Sequence, residues 1–141
     1  MMPYEILEHE ADAGVRGIGE TLEEAFCEAA RGMFSLMVDL EAVRPERAVP
    51  VEVEAETLEM LFVSWLGELL ALRDLEGLVF SRFEATISRA GNRWVLKGKA
   101  YGEPLDPARH KPAVEVKAAA YYGVKVGKDN GRYIAQCVVD L

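Results

Sequence analysis

Two stretches of the chain repeat apolar residues at helical spacing. Leu22, Ala25, Phe26, Ala29, Met33, Leu36 and Met37 recur every three or four positions, which predicts a helix with one apolar face. Thr21-Leu22-Glu23-Glu24 opens it with a capping-box sequence, a hydroxyl placed to take an orphan N–H of the first turn. This helix should end near Asp39. Leu58, Leu61, Phe62, Trp65, Leu66, Leu69 and Leu72 form a second stripe behind Thr57. It is wide enough for a central core helix.

The remaining segments read as strands and turns. Tyr4 to His9 is a first strand and Val15 to Gly19 a short second one, with Gly14, Gly17 and Gly19 permitting tight bends. Pro45 and Pro50 mark a connection. Val51-Glu52-Val53-Glu54 alternates as a half-buried strand does. Leu78 to Ser88 is another strand, and its alternation slips at Arg82-Phe83, where a bulge is expected. Ala90-Gly91-Asn92 is a turn, after which Trp94, Leu96, Gly98 and Ala100 share one face. Gly102 to Pro112 reads as a polar loop. Val114 to Val126 and Tyr133 to Val139 form a last pair, joined through Gly127 to Gly131 as a hairpin. The order of elements predicts an α+β fold, two helices packed on a mostly antiparallel sheet. A chain of 141 residues fits one domain over 1–141.

Half of the residues are hydrophobic, enough for an ordinary core. The net charge of −8 opposes general nucleic-acid binding, which needs a basic surface to neutralise phosphates. RNA contact is therefore expected only indirectly, through a partner. Cys27 and Cys137 belong to no CxxC or Cys/His cluster and read as two reduced, buried thiols. The start lacks a basic, apolar leader, and no stretch is long and apolar enough to span a membrane. A cytoplasmic location is expected.

Candidate chemistry is sparse. His9 and His110 are single imidazoles with no nucleophile motif beside them. There is no GxSxG, HExxH or Walker sequence. Gly17-Ile18-Gly19 lacks the third glycine of a dinucleotide site, and Gly127 to Gly131 lacks the length and acid spacing of an EF-hand loop. The notable acids stand at the chain's two ends. Asp12 follows the first strand, and Asp140 is followed only by Leu141. Two carboxylates and an α-carboxylate would suit Ca²⁺ or Mg²⁺ if the fold joined them; spacing alone does not join them. A hairpin turn centred between Asp129 and Asn130 would put Asp140 opposite Ala119, diagonal to Lys117 and on its face. A one-residue slip would move Lys117 to the other face.

Glu8-His9-Glu10-Ala11-Asp12-Ala13-Gly14-Val15 resembles the opening EHTADxGI of the archease family. The resemblance continues through Thr21 to Phe26, Ala29 to Met33, Leu36 to Asp39, Trp65 to Leu70 and Gly102 to Asp106. It closes with His110-Lys111-Pro112, Glu115 to Ala118 and the terminal Val139-Asp140-Leu141. It spans essentially the whole chain, and its specificity lies in the order and spacing of the motifs together.

The resemblance implies a non-catalytic accessory protein of tRNA splicing. Its partner would be the RtcB-class tRNA-splicing ligase, which joins tRNA halves using GTP and a divalent metal. The protein would promote guanylylation of that ligase and its multiple turnover. The implied metal ligands are Asp12, Asp140 and the chain end at Leu141, with Ca²⁺ as the cation. Lys117 and Asp39 join Asp12 and Asp140 as candidates for ligase activation. Glu10 stands where the family usually has Thr, and Ala120-Tyr121-Tyr122 where Thr-Tyr-His is usual. Glu10 would either raise cation affinity or crowd the carboxylates. Competing readings are a folding modulator or chaperone, a cation-binding module, and a small hydrolase using Asp12, His9 or Lys117.

Overall fold

The structure is a computed structural model and describes residues 3–8 and 12–141. Both helical periodicities become helices: α1 over Leu22–Met37 and α2 over Leu58–Glu76. Thr21 Oγ1 accepts from the Glu24 N–H and Thr57 Oγ1 from the Met60 N–H, each at 3.1 Å. These hydroxyls satisfy orphan donors of the first turns. α2 stops at Gly77, whose φ of 67° forms a left-handed cap.

Seven strands are described: β1 Tyr4–Glu8, β2 Asp12–Gly19, β3 Arg47–Ala55, β4 Leu78–Ala90, β5 Arg93–Pro104, β6 Ala118–Asp129 and β7 Arg132–Asp140. The fold is α+β, as expected, and its antiparallel pairing is divided between two sheets. One has the order β1-β2-β7-β6 and the other β3-β5-β4. α1 packs against β2, β7 and β4, and α2 against β6, β3 and β5, so each helix touches both sheets. That requires wide apolar arcs. On α1 the buried set includes Ala25, Phe26, Ala29, Ala30, Met33 and Phe34. The α2 stripe is core, with Leu61, Phe62, Trp65, Leu66 and Leu69 all buried. The buried Trp65 indole N–H donates to the Phe26 carbonyl at 3.1 Å and ties the helices together. Phe34, Phe80 and Phe83 join the centre through ring contacts. No helix among the described residues is long and apolar enough to cross a membrane.

Several elements differ from their sequence pattern. β2 begins at Asp12 rather than Val15, because Ala13 and Gly14 carry too little side chain to show alternation. Gly17 serves close approach, not a bend. A Cβ there would lie 1.9 Å from the Ala25 carbonyl oxygen and 2.4 Å from the Ala29 nitrogen. Pro50 lies inside β3, not in a connection; β3 is an edge strand, where a missing donor is tolerated. The irregularity in β4 falls between Phe80 and Arg82, slightly earlier than expected. Gly102 to Pro104 complete β5, and Pro107–His110 form a short helix, α3, so the expected loop is largely structured. The last hairpin turns on Asn130-Gly131 alone, with φ of 54° and 80°, as a type I′ turn requires. β6 starts only at Ala118, leaving Val114 to Lys117 as its lead-in.

Gly17→Ala should destabilise the fold by about 3 kcal/mol or more, the upper range for overpacking. Urea denaturation checks this, and a loss below about 1 kcal/mol would mean that β2 and α1 can separate freely.

Candidate functional site

Side chains alternate along a strand, so Ala13, Val15 and Gly17 face α1 while Asp12, Gly14 and Arg16 face outward. On β7, Val139, Cys137 and Ala135 are buried, which sets Asp140, Val138 and Gln136 on the same outer face. Asp12 and Asp140 are direct partners across β2 and β7. The fold thus brings the chain's two end acids side by side. Asp12 Oδ1 is shielded from solvent, while Asp140 is exposed.

β6 flanks β7 on its other side, with Ala118 opposite Asp140. This corrects the expected pairing with Ala119. The turn is centred one residue later than assumed, and a register shift intervenes between Ala120 and Lys125. Lys117 therefore does not meet Asp140 as a diagonal neighbour on one strand face. Its link is main chain: the Lys117 N–H donates to the Asp140 carbonyl at 2.8 Å. Its side chain is exposed. Leu141 is half-buried against the core, which anchors the chain end beside Asp140. Asp39 acts locally. Its carboxylate accepts from the Glu41 N–H at 3.2 Å and caps a 3₁₀ turn over Leu40–Ala42. His9 and Glu10 lie outside the described residues.

Among the described residues no group of three or more His, Cys, Asp or Glu side chains is arranged to hold a metal. The acid pair offers two side-chain carboxylates. This all-oxygen set fits a hard divalent cation better than a thiophilic one.

Sequence reasoning missed how the segment before Lys117 is held. The Ala113 N–H donates to the Met37 carbonyl at 2.9 Å and the Val114 N–H to Leu36 at 3.2 Å, on the last turn of α1. From the last turn of α2, Arg73 Nη1 donates to the carbonyl of the fully buried Val116 at 2.8 Å. Arg73 reads in sequence as an ordinary basic residue at a helix end, and only its tertiary partner marks it out. A groove of about 370 Å³ opens beside it, lined by Val79, Leu105, Pro112 and Val114 among others.

A second buried network anchors the other end of this segment. Glu103 is 6% exposed and His110 fully buried. Glu103 accepts from Arg109 Nη1 and Nη2, from the Arg44 N–H at 2.8 Å, and from His110 Nε2 at 2.8 Å. His110 Nδ1 accepts from the Asp106 N–H at 2.9 Å. This leaves the proton of the neutral ring on Nε2. The His110 carbonyl then accepts from the Asp39 N–H at 2.9 Å. The Arg109 guanidinium, with help from Arg44 and His110, holds the Glu103 carboxyl far below its ordinary range against the opposing effect of burial. His110 is thus a structural residue with both ring nitrogens engaged. Cys137 is buried, as expected, and Cys27 only partly so. Burial pushes both thiols up to about 12, with Glu28 and other nearby acids adding to the effect at Cys27. Neither is a reactive thiolate.

Residues 4–141 match the sequence profile of the archease protein family (MTH1598/TM1083). The chain is 49% identical to the Protein archease of Thermococcus kodakarensis and 44% identical to that of Pyrococcus furiosus, over 100% of both chains in each case. Its fold superimposes on the solution structure of protein 1598 of Methanobacterium thermoautotrophicum with a TM-score of 0.88, at 33% identity and complete coverage of both chains. A crystal structure from Thermotoga maritima, described as an archease and possible chaperone, shares the fold at a TM-score of 0.57 and 20% identity. That match covers 97% of this chain and 96% of the other.

Arg73→Leu should cost about 1–3 kcal/mol, the penalty for stranding a buried acceptor. It should also speed amide exchange over residues 113–118 in hydrogen-exchange mass spectrometry; unchanged exchange there would remove Arg73 from the site's support. Glu103 should make the protein acid-labile. Its folded carboxyl lies below the ordinary 4.5, so the unfolded chain binds the proton more readily. The contribution is complete above that value and lost as pH falls towards the folded one. Glu103→Gln should flatten the loss of stability below about pH 5, and an unaltered slope would contradict the network.

Proposed function

The chain belongs to the archease family, and from that we propose that it is an accessory protein activating an RtcB-class tRNA-splicing ligase. It promotes guanylylation of the ligase and its repeated turnover. It does so without chemistry of its own. The observation that carries this reading is the direct pairing of Asp12 with Asp140 at the chain end.

Like charges directly opposite on two strands destabilise the pair. A cation or a cationic partner surface relieves that repulsion, which gives this corner a physical reason to bind one. Asp12, Asp140 and the α-carboxylate of Leu141 would hold the ion, with Ca²⁺ favoured by hard oxygen donors and flexible geometry. A bound divalent ion supplies charge stabilisation for phosphate oxygens in a guanylylation site. The rest falls to this chain's own residues. β7 fixes the position of Asp140 between two strands. The Lys117 amide ties the lead-in of β6 to the same carbonyl. The exposed Lys117 ammonium is available to meet a phosphate at the ligase. Phosphoryl-transfer sites depend chiefly on positioning and charge, so an acidic corner docked at such a site favours its productive geometry.

The test is ligase guanylylation with GTP and divalent metal, with and without a substoichiometric amount of this protein. Asp12→Ala and Asp140→Ala should each abolish stimulation while melting within a few degrees of the wild type. Full stimulation by both variants would sink the assignment. Residues appended after Leu141 should also impair stimulation, because they displace the α-carboxylate. An unimpaired extended protein would remove the chain end from the site.

A further inference from the structure

The outer face of the four-stranded sheet carries a second feature next to the acid pair. Between Ala120 and Lys125 the register of β6 on β7 shifts, and Tyr121, Tyr122, Gly123 and Val124 have no partner on β7. The detour is built into the backbone: Gly123 holds φ at 73°, a conformation that L side chains rarely adopt. A Cβ on Gly123 would lie 3.4 Å from Val138 Cγ2, so the bulge rests over Val138. Val138 and Asp140 project from the same face of β7, two residues and about 7 Å apart. The bulge therefore stands on the face of the acid pair and immediately beside it. Tyr121 is 56% and Tyr122 82% exposed. Leu7, 36% exposed, covers Gly14 on the same face.

The strand edge beside the acid pair is locally basic. From Lys117 to Lys128 the chain holds three lysines and no acid, within a protein of net charge −8. Paired tyrosines on a fixed backbone are apt anchors for a protein partner, because they offer large contact area at small cost in side-chain entropy. Three lysines beside two carboxylates make a poor phosphate track, since nucleic-acid affinity depends on how many phosphates are neutralised.

We propose that Tyr121 and Tyr122 form the protein-docking anchor of this molecule, seating in the same partner that the Asp12–Asp140 corner addresses. This rests on the ligase reading above and names the surface that reading left open. The complementary surface has apolar pockets for two phenol rings, bordered by acceptor groups for Lys117 and Lys125. It adjoins the cationic site that takes the acid pair. The Tyr anchor supplies affinity, and the acid pair supplies activation.

The experiment is a titration of the full chain against the immobilised ligase from the same organism. Tyr121→Ser/Tyr122→Ser should weaken binding tenfold or more, with unchanged melting temperature and unchanged Ca²⁺ titration of the isolated protein. Leu75→Ser, at an equally exposed position on α2 (81%), should bind as the wild type does. Wild-type affinity in the tyrosine double variant, with stimulation still lost in Asp12→Ala, would overturn this inference and leave the functional reading standing. Absence of both binding and stimulation in the wild type would overturn the two together. Two further results would also overturn it by reassigning the tyrosines. One is loss of binding to a labelled single-stranded oligoribonucleotide while ligase binding survives. The other is a wild-type dimer in sedimentation that the double variant converts to monomer.

Discussion

The pairing of β2 with β7 closes the chain on itself. Eight consecutive residues of β2, from Asp12 to Gly19, find partners on β7, and this ladder sets the two end acids side by side. Towards α1 the inner face of β2 presents the small residues Ala13 and Gly17 beside Val15. Gly17 lets α1 come so close that its main chain occupies the space a side chain would need. The same ladder makes Asp140 a residue of a central strand rather than a frayed end. The Asp140 main chain is held by Lys117 and Ala118 on one side and by Asp12 on the other.

A second support comes from the segment before β6. It passes from a buried Glu103–Arg109–His110 network, across the last turn of α1, to the Arg73 guanidinium. Each contact satisfies a backbone carbonyl or amide that would otherwise be costly to bury. The consequence is functional as well as structural. The residue that follows is Lys117, delivered beside the acid pair by bonds from two helices. The bulge after Ala120 continues this arrangement outward and rests over Val138, on the face of the acid pair.

The two helices were legible because burial on them is periodic and both starts carry a threonine cap. The α+β class followed from the order of elements. The start of β2 is not legible at Ala13 and Gly14, where small side chains carry no hydropathy signal. Pro50 reads as a connection in sequence because a proline says nothing about whether its strand lies at an edge. Arg73, Glu103 and His110 were not singled out as a support. Their roles lie in partners across 43 residues for Arg73 and in a shared carboxylate for the other two, and no local pattern records either.

The sequence by itself determined the helical faces, a hairpin turn within Gly127 to Gly131, the acids available at each end and the excess of negative charge. These are properties of local spacing and composition. Only the tertiary structure decided that Asp12 meets Asp140, and that Asp140 pairs with Ala118 rather than Ala119. It also decided that the bulge carrying Tyr121 and Tyr122 rests over Val138, on the face of the acid pair. The reason is physical. Strand register depends on where a turn is centred and on whether a bulge intervenes, and each residue of slip reverses every side chain. Hydropathy constrains which face of a strand is buried, but the outer face, where this candidate site lies, carries no burial signal to fix it.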